Sequence, residues 1–476
     1  MPRAASPFLP GGNLKDSLGT TLNGLLHRLG PDELKKMKQE VREAGLSRGI
    51  VYEDDAGRPH PTPILLRPRV LGGNQRQYLH AISLVLEGAF LKLVHLWHQL
   101  SAVRRILPLT ELEQKWMHDL YRPEDRGVLF GRFDASTNFA SKDWVKHTYF
   151  FEFNPVGVGG TYLCPAVDEV ICTHVVPRLR QHAPTLLLEP NDDPRKVLLE
   201  TLADHARSLR LKRFHIGLCQ YKDLPGGVNE FPYNVEFLRS MGVAAWHVDP
   251  RELRLKGEEM WYGDHPIDLL YRDHETNDMA AKESKGEDFT AMKHALRTSR
   301  CVSSLAGEFD HKSVFQVFTS PEFDHYFSSE ERKVFARHVP WTRLVEHART
   351  TDPDGHEVDL LPYLERNRER LLLKPNRSYG GEGILVGPEM DDAAWQAALQ
   401  RIVAGPIAWV AQGYKAVAEI GFPVIDEDGT LGTAEYFSVL GLFVSGQRLA
   451  ILGRASQRKV VNVAQKGGLV AVLRLL

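Results

Sequence analysis

The sequence predicts a multidomain protein of the mixed α/β (α+β) class with a helical N-terminal extension. Three observations carry this. Residues 78–121 repeat apolar side chains at spacings of three and four, the helical period. Residues 195–300 alternate helical stretches with short apolar runs, the rhythm of a small open α/β domain. Residues 407–476 are strand-like, with turn signals at 426–429 and 445–446. A chain of 476 residues has room for two to four such units, each with its own core.

Taken in order, residues 1–75 are polar and broken by Pro and Gly, with one Glu/Lys-rich helix near 31–45. After the helical stretch come two strands, 127–134 (GVLFGRFD) and 147–154 (HTYFFEFN), then a helix over 165–183. The run EPNDDPR at 189–195 marks a boundary. Beyond it lie a helix at 196–209, a strand at 213–219, a helix at 230–241 and a strand at 243–248. A hairpin-like segment leads to a strand at 267–272, and a loop with a helix fills 274–300. Helices near 312–318, 329–337 and 358–369 precede an apolar strand at 370–374, and a helix at 391–403 follows. The segments expected are 1–120, 121–190, 195–300, 301–405 and 406–476.

Net charge is −2, so bulk electrostatics offer no general pull toward nucleic acid or an anionic membrane. Cys164, Cys172, Cys219 and Cys301 form no CxxC pair or Cys/His ligand pattern, which argues for a reducing cytoplasm. The opening MPRAASPFLPGGNLKDS lacks the apolar core of a signal peptide. The longest apolar stretch, 79–100, carries His80, Glu87, Lys92, His95 and His98 and reads as a buried or amphipathic helix.

Two segments carry chemistry. In LLLKPNRSYGGEGILVG (371–387) an apolar strand delivers Lys374, Pro375 ends it, and Ser378, Gly380, Gly381 and Gly383 form a turn. Glycines let backbone N–H groups approach phosphate oxygens, and the lysine adds a point charge. The same pattern also fits a plain glycine-rich β-hairpin, and it is not a GxxxxGK[ST] loop. In the second segment, Glu152 and Asn154 are two apart on a strand and share a face, while Phe151 and Phe153 should point into a core. Asp134 ends the preceding strand, and Arg132 shares its face. Three hard oxygen ligands suit magnesium. The alternative is the polar solvent face of a hairpin.

Together these segments resemble the ATP-grasp superfamily, in particular circularly permuted members like the glutathionylspermidine synthetase group. Arg132-Phe133-Asp134 and Glu152-Phe153-Asn154-Pro155 resemble the family's R-x-D…E-x-N-P magnesium segment. Lys374-Pro375…Ser378-Tyr379-Gly380-Gly381-Glu382-Gly383 resembles its triphosphate-covering turn. Gly453-Arg454…Asn462…Gly467-Gly468 resembles the R…N…GG segment of ligases that add amino acids to peptides, and Trp409-Val410-Ala411-Gln412 the adenine hinge. Asp310-His311-Lys312 is similar to the segment carrying the first phosphate-side lysine. The family's usual last motif comes first here, so cutting and rejoining the order of motifs restores the usual one. Such permutation is tolerable because termini of compact domains often lie close together. The likeness spans residues 130–476. It departs at Gly413, where an acidic residue usually stands, and at Arg377 inside the turn; Glu419 is the substitute contact for the ribose.

The resemblance implies an ATP-grasp fold, circularly permuted, with an α/β pre-grasp domain at 195–300. It implies ATP and Mg2+ and an amide-forming ligase acting through an acyl phosphate. Asp134, Glu152 and Asn154 would hold the metal, and Lys312, Lys374, Ser378, Gly380, Gly381, Gly383, Gln412 and Glu419 the nucleotide. Arg132, Arg454 and Lys374 would stabilise the reacting groups. Gly159, Gly160, Arg272, Asn462, Gly467 and Gly468 would lie along the substrates, a small-molecule or peptide carboxylate and an amine. Arg454 equally suits a solvated basic face, Lys312 an ordinary helix start, and Arg272 an ion pair with Asp268 or Glu275. A non-catalytic nucleotide-binding relative and a phosphotransferase remain alternatives, as does a homodimer.

Overall fold

The computed structural model describes residues 17–53, 58–223, 229–378, 383–425, 429–458 and 467–476. Its largest sheet joins distant parts of the chain. Strands run in the order Gly468–Val470, Leu449–Ser456, Leu431–Val444, Arg132–Ser136, Tyr149–Asn154, with Ala418–Ile425 also paired to Leu431–Val444. All these pairings are antiparallel. The expected strand 127–134 starts only at Arg132 and continues to Ser136. Upstream, the backbone bonds elsewhere: Val128 and Phe130 donate to the hydroxyls of Ser304 and Ser303.

The long helix Gly73–Gln99 packs behind this sheet. By length and composition it could cross a membrane. Here Leu79, Ile82, Leu86, Phe90, Leu93 and Trp97 are buried in the same core as Phe133, Phe150, Phe153, Leu440 and Leu442. The Phe90 ring stands 4.4 Å from that of Phe153, which stacks on Phe133 at 4.0 Å. Helices Ser101–Ile106 and Glu111–Leu120 complete the helical stretch. The expected helix 165–183 divides into Leu163–His174 and Val176–His182, the second with a proline in its first turn. That break is what proline imposes by removing a backbone donor.

Residues 195–300, joined by Cys301–Val302 just beyond them, build a parallel sheet in the order Cys301–Val302, Leu269–Arg272, His215–Cys219, Ala244–Val248. The segment 274–300 holds two helices, Thr276–Glu283 and Thr290–Arg297. A four-stranded antiparallel sheet follows, in the order Thr342–Leu344, Trp409–Gly413, Leu371–Pro375, Leu385–Val386.

Arg272, expected beside a substrate, is instead a structural residue. It is fully buried. Its guanidinium donates to the carbonyls of Ser303 (2.7 Å), His274 (2.6 Å) and Ser304 (2.8 Å). The carboxylate paired with it is Glu308, at 2.6 Å, with Glu275 adding a weaker attraction. Protein groups take up its donors, which favours the ion-pair reading of this residue. Arg272→Met leaves Glu308 buried without its cation, which should cost about 3–5 kcal/mol. Thermal and denaturant unfolding of the variant would show it as an earlier transition.

Candidate active site

The largest sheet brings the hairpin and the C-terminal strands to one place. Strand pairing sets Asp134 opposite Glu152, Arg132 opposite Asn154, and Gly441 opposite Asp134 on its other side. Arg132 Nε donates to Asp134 Oδ1 at 2.8 Å and Nη2 to Oδ2 at 3.2 Å. Arg454 Nη2 lies 2.8 Å from Asp134 Oδ1. Asp134 is buried; burial alone would raise its pKa, but Arg132 and Arg454 outweigh that and hold the carboxyl far below its usual range. Arg132 also donates to the Gly159 carbonyl at 2.7 Å, and Asn154 Nδ2 to the Arg132 carbonyl at 3.2 Å.

The pairing is interrupted between Asp134 and Ala135 by a register shift. This corrects the expectation for Phe151. A bulge adds one residue to a strand and re-aims the side chains around it. Phe150 therefore takes the core place beside Phe153, and Phe151 is only half-buried, 5.8 Å beneath Lys374 Nζ.

The lysines come from outside this sheet: Lys374 from Leu371–Pro375 of the four-stranded sheet, and Lys312 from the turn that precedes the helix Val314–Thr319. Lys312 Nζ lies 3.5 Å from Glu152 Oε2 and donates to the Ser378 carbonyl at 2.7 Å. Its backbone is fixed by Asn376, whose carbonyl accepts from Lys312 N and whose Oδ1 accepts from Ser313 N. Lys374 Nζ donates to Gln412 Oε1 at 3.0 Å, and Gln412 Nε2 to Thr342 Oγ1 at 3.2 Å. Burial brings Lys374 down to about 8, with Glu152 opposing the fall.

Other expected positions fall out differently. Gly160 N donates to Glu230 Oε1 at 2.6 Å, and Glu230 Oε2 also takes the N–H groups of Tyr162 and Leu163. A protein carboxylate thus occupies the donors of the 159–163 loop, a role the sequence signalled only by Glu230 opening a helix. Glu419 is exposed on Ala418–Ile425, in a different sheet from the buried Gln412. Gly468 packs against Pro63 at the end of the last large-sheet strand. Gly383 has φ +73°, which favours glycine. Gly380, Gly381 and Asn462 lie outside the described residues.

Gly441 was not singled out by the sequence. A Cβ there would stand 2.6 Å from Arg132 Cδ, so only glycine lets Arg132 lie across the strand to Asp134.

With this geometry in view, comparisons with known proteins place the fold. A glutathione synthetase-like effector from Globodera pallida, solved in its apo form, superposes with a TM-score of 0.60. The match covers 93% of this chain and 97% of that one at 12% identity. A RimK domain ATP-grasp protein of Sphaerobacter thermophilus matches 52% of the chain at a TM-score of 0.25, too low to bear on the fold. In sequence, the uncharacterised proteins Rv2411c of Mycobacterium tuberculosis and Mb2434c of Mycobacterium bovis are 27% identical over 264 residues, 51% of this chain. The chain spans 44% of the length of these relatives. No protein-family model matches. The chain shares the mixed helix-and-sheet fold of that glutathione synthetase-like effector.

Two outcomes follow. Gly441→Ala should force Arg132 off Asp134 and cost about 1–3 kcal/mol by overpacking, measured by thermal unfolding. A lysine whose folded pKa lies below its unfolded value of about 10.4 destabilises the fold where it is charged, and this penalty fades as pH rises between the two values. Lys374→Met should therefore be more stable than the parent near pH 7, with the gap closing from about 8 upward, the folded pKa of Lys374. Denaturant titrations of both proteins across pH 7–10 test this.

Proposed function

We propose that this protein is an ATP-dependent carboxylate–amine ligase that works through an acyl phosphate, on a circularly permuted ATP-grasp frame. One observation carries the reading. Lys312 lies 3.5 Å from Glu152 although 160 residues separate them, so the carboxylate hairpin and the phosphate-side lysines face one cleft.

Asp134, Glu152 and Asn154 would hold Mg2+. The donor set fits: all three offer hard oxygens, and Asp134 retains acceptor capacity beyond its arginine contacts. Bound magnesium would neutralise phosphate charge. Lys312 and Lys374 would bind the β- and γ-phosphates, with Gln412 holding Lys374 in place. A substrate carboxylate oxygen attacks the γ-phosphorus and ADP leaves; an amine nitrogen then attacks the acyl carbon, and phosphate leaves with the amine giving up a proton. Arg132 and Arg454 would stabilise the developing oxyanion. Positioning and charge neutralisation suffice for this chemistry. Permutation is supported by the pairing of Leu431–Val444 with Arg132–Ser136, which closes the sheet across the chain order.

A phosphate-release screen over pairs of carboxylates and amines, with mass spectrometry on the hits, tests the reading. Turnover should require both partners and yield an amide and ADP. Glu152→Ala should lower it by at least about a hundredfold, the usual loss when a transition-state contact is removed. A phosphorylated product, or release indifferent to the amine, would sink the ligase assignment.

A further inference from the structure

Arg377 departs from the family pattern, and its surroundings show what it does. Its Nη1 lies 2.8 Å from Glu113 Oε1, and its Nη2 pairs with Glu275 Oε2. Glu113 belongs to the helix Glu111–Leu120 and is wholly buried. Its other oxygen accepts from Thr110 N at 2.7 Å, closing the cap of that helix. Glu275 immediately precedes the helix Thr276–Glu283, and the two helices are also linked by Thr110 Oγ1 and Asn277 Oδ1 at 3.2 Å. One arginine thus ties together the N-terminal helices, the parallel-sheet region and the residue next to Ser378.

Ser378 is the residue whose carbonyl receives Lys312 Nζ. Asn376, on the other side of Arg377, fixes the backbone of Lys312 and Ser313. Ser313 Oγ in turn donates to the Ile106 carbonyl at 2.6 Å, a second tie to the N-terminal helices. Arg377 is therefore flanked by both groups that position Lys312, and its own position is set by two carboxylates from outside the strand.

We infer that Arg377 is a positioning residue for nucleotide binding, and that the N-terminal helices act through Glu113 as a brace for the phosphate-side lysines. On this reading Glu113 and Arg377 act through their neighbours Asn376 and Ser378, the two groups that hold Lys312. In some proteins buried pairs of this kind specify geometry more than they add stability. This inference rests on the nucleotide-binding reading above.

Calorimetric titration with Mg·ADP, alongside thermal unfolding, tests it. Glu113→Gln keeps an acceptor for Thr110 N but removes the charge facing Arg377. It should weaken ADP binding roughly tenfold, about 1.4 kcal/mol by the usual conversion, in protein that is still folded at the titration temperature even though loss of a buried partner lowers the unfolding temperature. Glu275→Gln should do the same, and serves if the first variant does not fold. Arg377→Lys should recover part of the affinity lost in Arg377→Met. In a double-mutant cycle, Glu113→Gln and Arg377→Met should be non-additive, as for residues in contact. Wild-type affinity in the folded single variants, or additive losses, would overturn the inference while leaving the ligase reading intact. A parent protein that binds no Mg·ADP overturns the nucleotide reading and the brace with it.

Discussion

The structure turns on one buried carboxylate. Asp134 sits inside a sheet where an unpaired negative charge would cost several kcal/mol. It is kept ionised by Arg132, two residues away, and by Arg454, from the far end of the chain. Arg454 could not be delivered without the pairing of Arg132–Ser136 to Leu431–Val444 and of that strand to Leu449–Ser456. The electrostatic requirement at one atom and the closure of the largest sheet are thus one constraint. Gly441 meets its steric side, leaving room for Arg132 to cross the strand.

Rigidity behind this site comes from the N-terminal third. Phe90 of the long helix packs on Phe153 and Phe133, which lie between Glu152 and Asn154 and between Arg132 and Asp134. Arg69 donates to Ser438 Oγ and to the Thr137 carbonyl, and Arg69–Leu71 runs parallel to Val472–Leu475. The N-terminal helices therefore form the back wall of the site. Close packing of this kind transmits displacement, because interiors have little free volume to absorb it.

Much of the site was legible in the sequence because its chemistry is local. The Arg132–Asp134 spacing, the Glu152–Asn154 spacing and the lysine ending an apolar strand each lie within one strand, where side-chain direction follows from the period of two. Helices and the alternating middle region were legible for the same reason. The period failed at Phe151, since a bulge depends on pairing with a second strand. It failed at Arg272, whose partner Glu308 sits on a segment reached only by tertiary packing. Glu230 closing the donors of the 159–163 loop, and Arg377 bridging Glu113 and Glu275, were likewise invisible: each links groups separated by more than sixty residues.

By itself the sequence determined the local alphabet: which strands carry carboxylates, which carries the lysine, and which stretch is helical. These follow from periodicity and turn chemistry within a few residues. Tertiary structure alone decided which of those charged groups meet. Whether an arginine meets a site carboxylate, as Arg454 does at Asp134, or is consumed inside the fold, as Arg272 is, depends on burial and on partners brought from elsewhere. Charges interact through space, and their worth is set by the dielectric around them, which no stretch of sequence contains.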